Sequence, residues 1–576
     1  MPDKPRVAYF SMEIALDPAI PTYSGGLGIL AGDTLRAAAD LALPVVGVTL
    51  LHRTGYFFQK IDEEGRQTES PVRWVPEGHL ERTAAQASVS IEGREVHLSA
   101  WRYTVKGPAG GAVPVYLIDA HSDLNDAGDR HLTDSLYGGD QRYRLAQEIV
   151  LGIGGVRILR SLGFTDLDRY HMNEGHAALL TAELLRERAL ELGAGIDSEV
   201  AARLVREQCT FTTHTPLAAG HDRFPIDLVR AVAGERQVIA RSPFFIKDGL
   251  LDTTHTALAL SRYANAVSRR HAEVSRRLFP GSTIDSITNG VHPATWVCQP
   301  MAALLDRAAP GWRTDGAALS EVSQTPDPVL WGAHVSAKRA LIRRIDRDAN
   351  AGLVEDAFTI GVARRCTPYK RLDLILSDAS RLRAIAAEYG PVQVVFAGKA
   401  HPRDGGGKEM IERLNAASRA SSPPVRIAFI PGYDMELAAA MVAGCDLWIN
   451  VPQRPLEASG TSGMKAAMNA VPSLSVLDGW WIEGCEEGVT GWAVGEDHPP
   501  IDYHEEWRQD AEALYDKLGR VILPMFYKDR PAWIKVMRGA ISRNGPRFCT
   551  QRMMREYAAK AYDLPGPASL PGNVGG

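Results

Sequence analysis

Cysteine is scarce in this chain. Six residues, at positions 209, 298, 366, 445, 485 and 549 of 576, lie far apart, and no CxxC pair occurs. That spacing excludes a zinc ribbon and a dithiol redox motif and fits a reducing compartment. Long apolar runs are missing as well. The stretch 41–51 is broken by Pro44 and Gly47 and reads as a buried strand, so no membrane span is expected. Asp3 and Glu13 stand around only a short apolar piece at the N-terminus, which argues against a secretory signal. Basic runs are also absent. Lys and Arg total 64 against 69 Asp and Glu, a net charge of −5, and a nucleic-acid partner would demand a basic face. What remains is a soluble, cytoplasmic enzyme. Its hydrophobic and charged fractions, 45% and 23%, are ordinary, and its length allows roughly two to four domains.

One stretch concentrates chemistry. Residues 455–483 read PLEASGTSGMKAAMNAVPSLSVLDGWWIE. Gly460 and its small neighbours let a backbone approach an anion closely, and Thr461 and Ser462 offer hydroxyls and a helix N-cap. Residues 464–470 suit a helix, which Pro472 stops. A Gly/Ser/Thr turn opening a helix makes a phosphate cradle, and Lys465 falls about one turn inside it. A lysine there can hold a phosphate or bond a phosphate-bearing aldehyde. Local composition alone equally allows a Gly-rich helix start with a solvated lysine. The stretch lacks the Gly-Lys-Ser/Thr ending of a Walker A loop.

Elsewhere the chain alternates strands and helices. RVAYF (6–10) is followed by Ser24-Gly25-Gly26-Leu27-Gly28, a helical run to Asp40 and a strand at 44–51, the plan of a doubly wound α/β domain with ligands at the loop. Residues 56–119 hold short β segments and read as a β-rich insertion returning to the main sheet. Residues 140–162 have helical periodicity. HMNEGH (171–176) follows a strand; its spacing is wrong for a helical zinc pair, and no metal is expected. CTFTTH (209–214) is a strand ending before Pro216, and SITNGVHPATW (286–296) turns at Asn289-Gly290. A helix within 326–353, with Ala340, Leu341 and Ile345 on one face, bridges the halves. Five strands then alternate with helices at 371–388, 407–417 and 434–443 and with the helix of Lys465, which implies a parallel sheet covered on both faces. Helices are expected at 507–520 and 532–562, and a loose tail at 565–576.

Cations cluster in RRCTPYKR (364–371), which directly follows an apolar strand. Carboxyl ends of strands are where open α/β sheets bind ligands, so an anion site is favoured over a solvated charge run. The GGGK of 405–408 is a weak phosphate signal. Tyr433 follows another strand end.

Glu457-Ala-Ser-Gly-Thr-Ser-Gly-Met-Lys465 closely resembles the pyridoxal-phosphate (PLP) signature of α-glucan phosphorylases, with Ser462-Gly463 where that family usually has Gly-Asn. YFSMEIAL with YSGGLGILAGDTL resembles the opening of the short bacterial and archaeal branch. The remaining motifs follow in the family's order, from about residue 9 to about residue 481. The resemblance implies two doubly wound Rossmann-like domains facing a central cleft, the GT-B architecture. It sets a glucosyl domain at 1–330 with the insertion at about 55–120, a linker helix at 331–355 and a PLP- and phosphate-binding domain at 356–530. The segment 531–576 carries a helix packing back across the hinge.

The resemblance also implies roles. Lys465 carries PLP. Arg364, Tyr433, Gly460 and Thr461 surround the cofactor. Arg365 and Lys370 hold the phosphates, with Arg364 standing where lysine is common. His214 contacts the reacting glucosyl unit and Glu457 accepts a sugar hydroxyl. Gly26, Leu27, Asn173, Glu174 and Asn289 line the sugar. The implied reaction is retaining phosphorolysis of terminal α-1,4-linked glucose in glycogen, starch or maltodextrin, with inorganic phosphate as co-substrate and α-glucose 1-phosphate as product. A nucleotide-sugar glucosyltransferase of the same architecture is the alternative, and a silent glucan-binding protein a third. A homodimer rests on analogy. The chain opens almost directly on its first strand, so the regulatory extension of phosphorylation-controlled relatives is expected to be absent.

Overall fold

The computed structural model describes residues 4–217, 220–349, 351–497 and 502–564. The tail expected to be loose, 565–576, lies outside the described residues. The chain divides into two compact units. One comprises Met1–Phe57, Pro71–Ile287 and Met553–Gly576, the other Phe58–Ser70 and Thr288–Arg552.

In chain order the first half supplies β1 (Val7–Ser11), β2 (Val45–Leu50), a hairpin of β3 (Phe58–Ile61) and β4 (Gln67–Ser70), then β5 (Glu81–Ile91), β6 (Arg94–Lys106), β7 (Ala112–Asp119), β8 (Arg169–Asn173) and β9 (Cys209–Thr212). Three short strands, β10 (Arg223–Pro225), β11 (Ile246–Lys247) and β12 (Leu250–Asp252), form a small sheet of their own, before β13 (Tyr263–Ala266) and β14 (Asp285–Ser286). The sheet of the first unit runs β14-β13-β9-β8-β1-β2-β7-β6-β5. It is parallel from β14 to β7, and β6 and β5 extend it antiparallel. The central strands VAYFS and VVGVTL are buried throughout, as strands covered on both faces must be. Ala8 and Phe10 join one core with Val46, Val48 and Met172. Val7 and Tyr9 join another with Val45, Val113 and the C-terminal Met553, Met554 and Tyr557.

The second unit is built on β15 (Phe358–Ala363), β16 (Val392–Ala397), β17 (Val425–Ile430), β18 (Leu447–Asn450), β19 (Ser473–Val476) and β20 (Gly491–Val494). All pair parallel, in the order β17-β16-β15-β18-β19-β20. Successive strands step outward from β15 to one side, then from β18 to the other. The switch point therefore lies between β15 and β18, and in the first unit between β1 and β8. Loops leaving the carboxyl ends of such neighbours splay apart and open a ligand crevice.

Several boundaries differ from the sequence reading. The units meet in sequence at 287/288 rather than 330, and the bridging helix, Asp327–Ala349, belongs to the second unit. Its buried face is His334, Ala337, Lys338, Leu341, Ile342 and Ile345, a helical period of three and four, and Ala340 is exposed. The β-rich insertion is split: β5–β7 extend the first sheet, and the β3–β4 hairpin packs in the second unit. The helix expected over 371–388 begins only at Ala379, because Arg371 sits at φ +48° and Asp378 caps the later start through Arg381 N–H. The C-terminal helical region breaks at Phe548–Cys549, where Cys549 bridges Val291. The helix Thr550–Lys560 then carries Tyr557 into the first unit.

Candidate active site

At the first unit's switch point, Glu13 follows β1 and is buried. Its carboxylate accepts from Ser24 N–H at 2.6 Å, Gly25 N–H at 3.3 Å and Tyr137 O–H at 2.9 Å. It thereby folds the glycine loop over the end of β1. A Cβ on Gly28 would lie 2.7 Å from Glu13 Oε2 and from Tyr23 Cβ, so only glycine lets the loop close. Gly26 opens the helix Gly26–Asp40 in an exposed position, Leu27 is half-buried, and no side chain caps that helix.

The last residue of β8, Asn173, and the first of the loop after it, Glu174, come next. Ser11 donates to Glu13 O, so its oxygen accepts from Asn173 Nδ2 at 3.0 Å and leaves Asn173 Oδ1 as an acceptor. His214 Nε2 donates to that oxygen at 2.6 Å, and its Nδ1 is then the unprotonated nitrogen. Burial, with His271, His171 and His176 nearby, lowers the His214 pKa to about 3 and keeps the ring neutral. Glu174 has φ +78°, a conformation non-glycine residues rarely hold, and its oxygens accept from His214 N–H at 2.7 Å and Gly175 N–H at 3.0 Å. Burial raises its pKa to about 7 despite those bonds. Behind this site Arg144 lies 3.0 Å from Asp222 and over the Tyr137 ring, and His176 Nε2 is 3.5 Å from Asp222.

The second unit's switch point gathers the cation motif. Arg364 leaves β15 against the next loop, where a Cβ on Gly398 would sit 2.1 Å from Arg364 O. The loop leaving β18 brings Glu457, which is 7% exposed. Lys370 Nζ donates to Glu457 Oε2 at 2.6 Å, and Arg364 Nη2 bonds the same oxygen. Burial alone would raise the Glu457 pKa, but the Arg364 and Lys370 charges and their hydrogen bonds outweigh it and lower it to about 2. Arg364 keeps Nε and Nη1 buried and without hydrogen-bond partners. Two cations share one carboxylate here, with unused donors turned inward. That arrangement accepts a further anion.

Lys465 lies on the helix Ser462–Met468 and is 7% exposed, with Nζ 3.8 Å from the Trp296 ring centroid. Such a desolvated contact contributes roughly 2 kcal/mol. The expected hydroxyl cap is absent. Thr461 makes no side-chain cap bond, and Ser462 Oγ instead accepts from Trp448 Nε1–H at 3.0 Å. Gly460, at φ +73°, lies near Asn450, whose Oδ1 is buried and unpaired. A buried lysine on an indole face, an uncapped helix start and, on Arg364, buried donors without partners are each groups of the kind that fits a phosphate-bearing aldehyde such as PLP.

The other expected residues have surroundings of their own. Arg365 is exposed, and it is Arg364 that joins Lys370. Asn289 falls in the second unit, its carbonyl accepting from Arg552 at 2.9 Å and its Oδ1 buried without a partner. Tyr433 is half-buried against the core of the second unit. The GGGK helix start is filled by Asp404, whose side chain accepts from Gly407 N–H, and Lys408 pairs with Glu69. His171 is spent on Tyr562 and Thr212. Among the described residues no His, Cys, Asp or Glu cluster of three could hold a metal, and no helix is long and apolar enough to cross a membrane. Sequence reasoning missed Glu13, Tyr137 and Trp296. Glu13 had a signal, a carboxylate between a strand and a glycine loop with open N–H groups.

Comparison with known proteins agrees with the motif order. Residues 247–497 match the family model described as carbohydrate phosphorylase. The maltodextrin phosphorylase of Thermococcus litoralis is 39% identical over 96% of this chain and 70% of its own length. The glycogen phosphorylase of Mycobacterium tuberculosis is 37% identical over 96% of this chain and 70% of its own. That of Aquifex aeolicus is 36% identical over 97% of this chain and 86% of its own.

Proposed function

The chain belongs to the carbohydrate phosphorylase family and is a glycosyltransferase of the α-glucan phosphorylase type, and on that premise we propose a PLP-dependent, retaining phosphorolysis of terminal α-1,4-linked glucose. In this reaction a phosphate oxygen forms a bond to C1 of the terminal glucosyl unit. The bond from C1 to the O4 of the next unit breaks, and a proton passes to that O4. The products are α-glucose 1-phosphate and a glucan one unit shorter.

The observation that carries the reading is the meeting of Arg364 and Lys370 on Glu457 at the β15–β18 switch point, with Arg364 Nε and Nη1 buried and unspent. Arg364 and Lys370 bind the phosphate dianion and offset its repulsion from a second phosphate nearby. Arg365 adds positive charge at the exposed edge. Glu457, ionised at neutral pH, accepts a glucosyl hydroxyl once phosphate has taken its cations. Lys465 anchors PLP, with Tyr433, Gly460 and Thr461 around it. When bound, PLP supplies its own phosphate as the group that exchanges a proton with the substrate phosphate.

In the first unit His214 is neutral, with Nε2 held by Asn173, and the two orient the glucosyl hydroxyls. Glu174 fixes the His214 backbone. Gly26 and Leu27 present the open helix start to the sugar. Asn289, in the second unit, offers its buried, unpaired Oδ1 as a sugar contact. The two-domain cleft, a cytoplasmic location and a homodimer belong to the same proposal.

The test is release of glucose 1-phosphate from maltodextrin, with and without inorganic phosphate, by the wild type and by Lys465→Ala. Phosphate-dependent release is expected from the wild type, with loss of both activity and the cofactor's absorbance in the variant. Absence of release at any phosphate concentration from a protein that binds glucan would overturn the reading.

A further inference from the structure

Two loops carry the anion-binding groups of the second unit, and the first ends in a single 3₁₀ turn, Pro368–Lys370. One runs from the end of β15 to Lys370. The other runs from the end of β18 to Glu457. They share a backbone bond, Gln453 N–H to Tyr369 O at 2.7 Å. Beneath them lies a four-charge cluster. Arg371, next to Lys370, is fully buried in a left-handed conformation. It donates to Val451 O at 2.8 Å, Pro452 O at 2.9 Å and Asp510 Oδ2 at 2.6 Å. Arg454, three residues before Glu457, donates to the other Asp510 oxygen at 2.7 Å and to Val494 O at 3.2 Å. Glu506 accepts from Arg454 N–H at 3.0 Å and lies 3.5 Å and 3.8 Å from the two guanidinium groups. Both carboxylates project from the helix Tyr503–Lys517 one turn apart and are buried.

Burying four charges without water is unfavourable unless each is paired and in register. Asp510 bridges the two arginines, one from each loop, so a shift of either loop breaks a buried pair. We propose that Glu506 and Asp510 are positioning residues that set the distance between Lys370 and Glu457, and so the shape of the phosphate site; this rests on the phosphorylase reading. The helix bears neither group. It acts through Arg371 and Arg454, which are held at the roots of the two loops.

The experiment compares holoenzyme of the wild type, Asp510→Asn, Asp510→Glu and Glu506→Gln. The readouts are cofactor absorbance, melting temperature, the KM values for phosphate and maltodextrin, and calorimetric binding of inorganic phosphate. In Asp510→Asn the KM for phosphate and the calorimetric Kd should rise about tenfold or more, since a misplacement near 1 Å is enough for that. The KM for maltodextrin and the cofactor content should stay within twofold. Asp510→Glu should recover part of the phosphate affinity. Should Asp510→Asn fail to fold, Glu506→Gln, which leaves the Asp510 bridge intact, takes the same measurements with the same expected direction. Unchanged phosphate affinity in a folded variant would overturn the proposal. So would equal losses for both substrates that follow the folded fraction. A wild type that binds phosphate without releasing glucose 1-phosphate would overturn the phosphorylase reading and leave the binding arm to decide this one. A wild type that binds no phosphate overturns both.

Discussion

Replacing Glu457 with glutamine should tighten phosphate binding and slow turnover. The carboxylate is buried against Arg364 and Lys370, and the two cations bring its pKa from an ordinary 4.5 to about 2 against the opposing effect of burial. That difference corresponds to roughly 3 kcal/mol of net attraction for the ionised form. Phosphate arriving at the same cations must share them with the carboxylate or displace it. Glutamine keeps the shape and removes the charge. If half of the attraction is returned to phosphate, binding tightens about tenfold; if all of it, more than a hundredfold. The neutral amide is also a weaker acceptor for a sugar hydroxyl, by about 1 kcal/mol, so the efficiency toward glucan falls about fivefold to tenfold. The sign with pH is that of a depressed acid. The stability it contributes is present above about pH 4.5 and is lost as pH falls toward 2, so near neutrality the group is fully ionised. The assay is calorimetric titration of the holoenzyme with inorganic phosphate at low ionic strength, paired with glucose 1-phosphate release. Unchanged or weaker phosphate binding in Glu457→Gln, with cofactor content intact, would refute the idea that Arg364 and Lys370 meet the phosphate.

Glu174 should make stability fall as pH rises. Its pKa is raised by burial from 4.5 to about 7, so the protonated form is favoured in the folded state and the stabilisation, roughly 3 kcal/mol, is complete below pH 4.5 and lost by about pH 7. Chemical denaturation at pH 5 and pH 8 should show that difference shrinking in Glu174→Gln. His214 has the opposite sign. Its lowered pKa, about 3, means that its contribution is present above pH 6.5 and is lost as pH falls toward 3. Asp446→Ala should destabilise by about 3–5 kcal/mol. It strands Lys338, bonded to that carboxylate at 2.6 Å, and His334, at 2.8 Å, in a buried site. The drop should appear in the melting temperature with little effect on the KM for phosphate, and a change under 1 kcal/mol would mean that water reaches the site.

Much of the fold was legible in residue order. Runs such as FTIGVA and VQVVFA carry their own evidence of burial on both faces, and helices between them dictate parallel pairing. The Glu457–Lys465 string and the cations after β15 identified the chemical class, because those motifs are local. Sequence also placed Asn173, Glu174 and His214 at strand ends. Tertiary structure decided the rest, since each remaining feature depends on partners far away in the chain. Strand order made β15 and β18 neighbours, which brings Glu457 to Lys370 across 87 positions. The same packing turned Arg364 inward and left Arg365 exposed, a choice two adjacent arginines cannot announce. The β3–β4 hairpin joined the second unit because Gln59 and Gln67 bond the loop at Gly398 and Ala400. Periodicity put Ala340 on a buried helix face that His334 and Lys338 occupy instead, because Asp446 waits there to pair them. Local spacing specifies which groups a loop offers. Only the long-range pairing of strands and buried charges sets where those groups point.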